Sequence, residues 1–314
     1  MTDSMTDSMT APNDSGPRAV ARRPRTTFRG APPGSARGAA DADRAAIAEA
    51  FSRTAKKYDA FAEDHPHLTR MRRRVYEQLE RYVAPGSSIL ELNAGTGTDA
   101  VQLARRGFRV HATDIAPGML DLARDKVERF DLAGRVSVQE CSFLQLDRIE
   151  GGQFDAVFSN LGGLNCTADL RPVVAQLDRV LRPGGVVVWV LMPPICLWEL
   201  GLAFTGQFGL AFRRLARHGT RAHLEGRHFK VHYFTPRRAA AAFGDEYEVL
   251  AVEGLSVITP TAESKNLAQR HRDLYRTLAW LDDRIAPHAP ASGWGDFYIL
   301  SVRRRASPPI AAAR

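Results

Sequence analysis

Between Glu91 and Asp114 the chain sets two carboxylates on either side of a glycine-rich turn, in ILELNAGTGTDAVQLARRG followed by FRVHATD. An apolar run ends on Glu91. Gly95, Gly97 and Ala100 follow with the GxGxxA spacing of a nucleotide-binding turn, and a second apolar run ends on Asp114. Glycines at such a turn let backbone N–H groups come close to a ligand. A carboxylate at the end of the second strand can accept two hydrogen bonds from a ribose diol. That much fits a dinucleotide as well as any other adenosine. Glu91 argues against the dinucleotide, because a carboxylate just ahead of the turn repels a pyrophosphate and attracts a cation. The chemistry that satisfies both acids is an adenosine carrying positive charge in place of phosphates.

Such a turn needs a strand before it, a helix after it and more of the same alternation around it. SSILEL reads as a strand and TDAVQLARRG as a helix closed by Gly107; FRVHATD is a strand, and APGMLDLARDKVERFDLAG a helix ended by Gly134. RVSVQEC and FDAVFSN are strands, ADLRPVVAQLDRVLRPGG is a helix with a Pro-Gly-Gly stop, and GVVVWVLMPP is a strand apolar on both faces. The order implies an α/β fold with a doubly wound, seven-stranded, mostly parallel sheet whose last strand, DFYILSVRR, is antiparallel. Upstream, Met71, Val75, Leu79 and Val83 recur at spacing four on one helix face. A helical and hairpin insertion is expected at 195–240, before strand six: a glycine-containing apolar stretch, ICLWELGLAFTGQFGLAF, then a hairpin turning near Glu225-Gly226, then a helix with Thr235 at its N-cap and Pro236 at N1.

The expected boundaries are a disordered tail at 1–44, one catalytic domain at 45–305 and a short disordered tail at 306–314. The first segment opens with a MTDS repeat and is rich in Pro, Gly, Ala and Arg, with little to offset the entropy of ordering. With 314 residues, 44% of them hydrophobic, the chain can bury a substantial core. Cys141, Cys166 and Cys196 are an odd number without CxxC spacing, which argues against a disulfide framework or a structural zinc site and for a reducing, cytoplasmic setting. The net charge of +8 is spread along the chain, so no nucleic-acid partner is expected from it.

Five ordered segments together resemble the class I (Rossmann-like) S-adenosylmethionine-dependent methyltransferases: ELNAGTG their first motif, HATDIAPGML the second, QECSF the end of the third strand, FDAVFSNLGGLNC the fourth-strand segment and LRPGG the turn before the fifth. The resemblance covers roughly 51–190 well, and the last strand pair by pattern. It implies S-adenosylmethionine (SAM) as cofactor and no metal. It also implies roles for residues: Glu91, Asn93, Ala94 and Gly95 along the methionine part, Gly97 where the backbone passes the cofactor, and Asp114 on the ribose. Ile115, Met119, Cys141, Ser142 and Phe143 would stand around the adenine, Asn160 and Leu161 under the methionine part, and Tyr58, in KKYDAF, on a helix that closes over the site. Two positions depart from the pattern. Asn93 replaces a usual glycine, and Cys141 stands where an acid often precedes the adenine contact.

The expected reaction is methyl transfer to a small acceptor, hydrophobic or partly anionic. The apolar insertion and the cations after it, Arg213, Arg214, Arg217, Arg221, Arg227 and Lys230, suggest a greasy acceptor with an acidic end, or contact with an anionic membrane surface. His232, Tyr233 and Asn165 are the candidates for acid–base or positioning work, with His65 and His67 behind them. Three alternatives stand beside this reading. An RNA or protein methyltransferase would suit the basic charge but not the SNLGG after the fourth strand. An NAD-dependent oxidoreductase rests on GxGxxA alone. The last is a SAM-binding protein that has lost catalysis.

Overall fold

The computed structural model describes residues 33–62, 65–262, 268 and 270–306. The tail readings at 1–32 and 307–314 lie outside the described residues, as does part of the helix expected around residues 262–286. Helix α1 (Pro33–Ala62) begins ahead of Ala45, where the sequence pattern changes. It is followed by α2 (Pro66–Glu80), β1 (Ser88–Leu92), α3 (Thr98–Arg105), β2 (Arg109–Asp114), α4 (Pro117–Arg129), β3 (Val136–Glu140) and β4 (Phe154–Ser159). Then come the short α5 (Arg171–Val174) and α6 (Leu177–Val180), β5 (Leu181–Leu191) and the insertion.

One seven-stranded sheet has the order β3-β2-β1-β4-β5-β9-β8, with β8 (Tyr247–Leu255) and β9 (Phe297–Arg304) at its far edge. The pairs among β1–β5 are parallel; β9 runs antiparallel to both β5 and β8. Because β1 pairs with β2 on one side and β4 on the other, the winding direction reverses there. The crevice beyond the C-terminal ends of β1 and β4 is therefore where such a sheet binds ligands. Alternation along the strands builds two cores. Ile89, Val110, Ala156, Phe158 and Val188 face α2, whose Met71, Val75 and Leu79 are wholly buried. Leu90, Val157, Val187 and Trp189 face the other way, onto Val173 and Leu177 of the α5 and α6 turns and Ala239 beyond.

Two helix readings are corrected. The helix expected to reach Gly134 stops at Arg129, its C-cap Phe130 leaving helical geometry and Asp131 taking a left-handed φ of 53°. The helix expected across ADLRPVVAQLDRVLRPGG is two single turns, broken at Ala175-Gln176. Apolar residues at helical spacing do not distinguish one helix from two successive turns that bury the same side chains.

The insertion is short helical pieces and a hairpin. α7 (Leu197–Gly201) and α8 (Phe208–Ala211) are separated by a turn at Gly206, φ 80°, so the apolar stretch does not form one helix. β6 (Thr220–Leu224) and β7 (Arg227–Val231) meet at Glu225-Gly226, both at positive φ, as a two-residue hairpin turn requires. α9 (Pro236–Ala241) is capped by the Thr235 hydroxyl, which accepts from the Arg238 N–H. The chain closes through α10 (Arg272–Ile285) before β9. Buried Arg214 reaches Glu199 at 2.6 Å and Asp296 at 2.6 Å, tying α7 to the start of β9.

Candidate active site

The glycine turn is held by the acid at the end of β2. Gly95 N–H donates to Asp114 Oδ2 at 2.9 Å and Ala116 N–H to Asp114 Oδ1 at 2.9 Å. Each carboxylate oxygen keeps a second lone pair for a ligand. Gly95 and Gly97 adopt φ of 55° and 74°. At Gly97 a Cβ would stand 2.8 Å from the Ala123 Cβ, so this glycine lets α3 and α4 pack closely. Asn93 also takes a left-handed φ, 56°, which asparagine tolerates better than most residues. Its Nδ2 donates to Ser159 Oγ at 3.2 Å. A Cβ on Gly163 would lie 2.5 Å from the Asn93 Cβ. The glycine missing from the first motif is thus matched by a glycine in the loop after β4.

Glu91 is buried at 1% exposure, and its Oε2 has no hydrogen-bond partner among the described residues. Burial pushes its carboxyl well above the usual range, and the nearby Asp99 and Asp114 add to this against Arg72. Asp99 is itself committed, accepting from Arg72 Nε at 3.1 Å and from the Tyr76 hydroxyl. Burial also raises Asp114, opposed by the N–H groups that point at it. Around Glu91 the buried acids therefore outnumber the one buried cation, an arrangement that favours a cationic ligand. Across the crevice, Asn160 Oδ1 accepts from the Leu161 N–H at 2.8 Å, while the buried Asn160 Nδ2 has no partner among the described residues.

α1 covers this crevice. Tyr58 packs with Ala55, Ala116 and Met119. Burial raises its phenol, Arg72 opposes this, and Asp99 and Asp114 raise it further, which puts the ring in the same electrostatic neighbourhood. Asp59 accepts from Thr96 Oγ1 at 2.5 Å and from Lys126 Nζ at 2.7 Å, latching α1 to the glycine turn. At the far end, Ile115, Cys141 and Ser142 line a cavity with Arg44, Ala45 and Ala48 of α1. Cys141 Sγ donates to the Ser142 and Gln145 carbonyls, and burial pushes the thiol up. Phe143 instead packs with Leu90, Leu92 and Leu146 in the core beneath the sheet. Sequence reading missed the Arg44, Ala45 and Ala48 wall and the Asp59 latch. The signal was there: Ala48, Phe51, Ala55 and Tyr58 follow one helical face.

On the acceptor side, Asn165 is wholly buried and its amide is committed. Nδ2 donates to the carbonyls of Met192 at 3.2 Å and His232 at 2.5 Å, and Oδ1 accepts from Met192 N–H at 3.0 Å. It staples the end of β5 to the end of the hairpin and so positions His232 and Tyr233. The half-buried His232 imidazole is pushed down by burial, then by Lys230 and Arg238. Tyr233 lies 5.7 Å from the Arg214 guanidinium. The Cys166 thiol is pushed up to about 12 by burial and by Asp114. His65 and His67 belong elsewhere: His65 bonds the Ala262 carbonyl at 2.8 Å and His67 packs edge-on to Tyr275 at 4.7 Å. Cys196, Glu199 and Asp296 lie within metal-ligand reach of one another among the described residues, but Arg214 already supplies the cation there.

A methyltransferase-domain family model matches residues 89–185. A demethylmenaquinone methyltransferase of Thermus thermophilus is 37% identical over 175 residues, covering 52% of this chain and 70% of that protein. A malonyl-[acyl-carrier protein] O-methyltransferase of Serratia marcescens is 36% identical over 169 residues, covering 52% of this chain and 58% of that one. The chain thus spans less than two thirds of the length of the Serratia relative, and somewhat over two thirds of the Thermus one. A solved structure from Listeria monocytogenes, described as an S-adenosylmethionine-dependent methyltransferase, shares the fold with a TM-score of 0.51 at 14% identity, covering 74% of this chain and 98% of that one.

Proposed function

Since the chain belongs to the class I S-adenosylmethionine-dependent methyltransferases, we propose that it transfers the methyl group of SAM to a small acceptor with an apolar body and an anionic end. The observation that carries the cofactor half is the pairing of two buried groups without partners among the described residues, Glu91 Oε2 and Asn160 Nδ2, an acceptor and a donor on the two strand ends that flank the crevice. They fit the ammonium and carboxylate of an amino acid. Glu91 and Asn160 would hold the methionine end, Asp114 the ribose, and Ile115, Ser142 and the α1 wall the adenine, with Tyr58 over the middle. A sulfonium supplies an activated methyl carbon and a neutral thioether leaving group. What remains for the protein is to hold the nucleophile about 3–3.5 Å from that carbon and to exclude water.

The acceptor half rests on the insertion. The family match ends at residue 185, before the segment that carries His232 and Tyr233, so the relatives' names do not fix the acceptor here. Lys230 and Arg238 set a positive field around His232, which supports an anionic group on the acceptor. Burial first, and then the same field, lower the His232 imidazole below its ordinary range, which favours the neutral form that can accept a proton.

Two outcomes follow. Asp114→Ala removes the anchor of the glycine turn together with the ribose acceptor, and is expected to weaken SAM binding by about 1–3 kcal/mol in calorimetry; unchanged affinity would remove Asp114 from the site. With an acceptor that carries a proton on its nucleophile, His232→Gln is expected to lower kcat about 10²- to 10⁴-fold with little change in the KM for SAM. An unchanged kcat would exclude His232 as the base. The function itself is tested by incubating the protein with SAM carrying a labelled methyl group and candidate acids; release of S-adenosylhomocysteine only with apolar acids is the expected result.

A further inference from the structure

The two faces of the insertion hairpin differ in kind. The inner face sets Ala222 opposite Phe229, buried against Ala50 of α1. The outer face sets Arg221 opposite Lys230 and His223 opposite His228. Like charges directly opposed across an antiparallel pair weaken it. Arg221, Lys230 and the nearby Arg217 are exposed, and none of them forms an ion pair with an acid among the described residues. Of the other arginines between Leu197 and Val231, Arg227 pairs with Glu49 at 2.5 Å, and Arg213 and Arg214 pair with Glu199.

A few residues ahead of these cations in sequence, the same insertion exposes apolar groups. Phe204 is 96% exposed, Phe208 61%, Phe212 48% and Leu215 52%. Their scaffold is anchored. Arg214 fastens it to Asp296, and Thr220 Oγ1 donates to the Arg213 carbonyl at 2.7 Å, joining it to the hairpin. Large phenyl groups left in water, in the same anchored segment as cations that have no ion pair among the described residues, have the composition of an interfacial membrane-binding element. No helix of the described residues is long and apolar enough to cross a membrane.

We propose that the segment from Leu197 to Val231 docks on an anionic lipid bilayer. Phe204, Phe208 and Phe212 enter the boundary between headgroups and acyl chains, and Arg217, Arg221 and Lys230 lie against lipid phosphates. An acidic protein surface would match the cations but leave the phenyl groups without a purpose; the bilayer accounts for both. The inference goes beyond the proposed reaction; it shares Lys230 with the field at His232 but does not need the acceptor's identity.

The test is co-sedimentation of the full chain with vesicles of phosphatidylglycerol and phosphatidylcholine, beside vesicles of phosphatidylcholine alone. Binding to the anionic vesicles is expected, weakened by salt and about tenfold weaker on the neutral ones. Phe204→Ser with Phe208→Ser, and separately Arg221→Glu with Lys230→Glu, should each reduce it about tenfold or more, while circular dichroism and SAM affinity stay unchanged. Absence of binding to the anionic vesicles would overturn the proposal. So would binding indifferent to both pairs, or a charge-dependent complex with an acidic protein in place of vesicle binding. SAM affinity, measured on the same variants, reports separately on the proposed reaction.

Discussion

Glu91→Gln should weaken SAM binding by about 2–4 kcal/mol, roughly 30- to 1,000-fold, while leaving the ligand-free protein as stable as before or more so. The two signs come from one carboxyl. In the free protein it is buried, has an oxygen without a partner among the described residues and stands beside Asp99 and Asp114, so burial first and those acids next raise its pKa. A group that binds its proton more tightly folded than unfolded favours the fold at low pH. That contribution is lost as pH rises from the ordinary carboxylate range to the raised value, and above it the charge is a standing cost. Glutamine removes the cost, so the ligand-free unfolding midpoint at pH 8 should rise, by about 2–4 °C for each kcal/mol relieved. The difference from the parent should shrink toward pH 4. Binding runs the other way, because a cation's gain from an ionised neighbour is lost with the charge. It should also be proton-linked: when a cation ionises Glu91 a proton leaves, and SAM affinity should rise with pH until the carboxyl is ionised in the free protein. A Glu91→Gln protein that binds SAM as tightly as the parent, or is destabilised without it, would show that Glu91 serves the core alone.

Gly163→Ala, in the loop after β4, should destabilise the protein, and Asn93→Gly should repair it. The added Cβ would lie 2.5 Å from the Asn93 Cβ and 2.7 Å from its Nδ2. Both backbones are pinned, β1 by its neighbours in the sheet and the loop by Gly162 N–H donating to the Val190 carbonyl at 3.2 Å. Overpacking of this kind costs about 1–3 kcal/mol. In denaturant titrations the double variant should recover most of that loss, giving a coupling of about 0.5–3 kcal/mol between the two positions. Additive effects would mean that Asn93 and Gly163 do not share this space. The coupling also gives Asn93 its explanation. A side chain can stand at this point of the turn because the loop facing it has given up its own.

Much of the candidate site was legible because its residues lie where local signals are strongest. Glu91, Gly95, Gly97 and Asp114 sit at strand ends and in a tight turn, where residue type, spacing and chemistry speak together, and the hairpin turn at Glu225-Gly226 announces itself by composition. Phe143 was harder: the residue after a strand end can face ligand or core with equal ease, and here it went to the core beneath the sheet. Asn165 carried an amide suited to catalysis, but only three-dimensional contacts reveal that its hydrogen bonds are spent on Met192 and His232. The break of the apolar insertion at Gly206 depends on one residue's φ, and the latch of Asp59 on Thr96 joins segments far apart in the chain. Such long-range pairings leave no periodicity to read.

The claim that Glu91 turns a nucleotide-type glycine turn into a site for a cationic adenosine is tested most directly by one calorimetric series on the full chain with SAM, S-adenosylhomocysteine and NAD⁺, run in buffers of different ionisation enthalpy. The account requires binding of SAM and S-adenosylhomocysteine, proton release on binding SAM that disappears in Glu91→Gln, and no heat from NAD⁺. Binding of NAD⁺ without binding of SAM would contradict it.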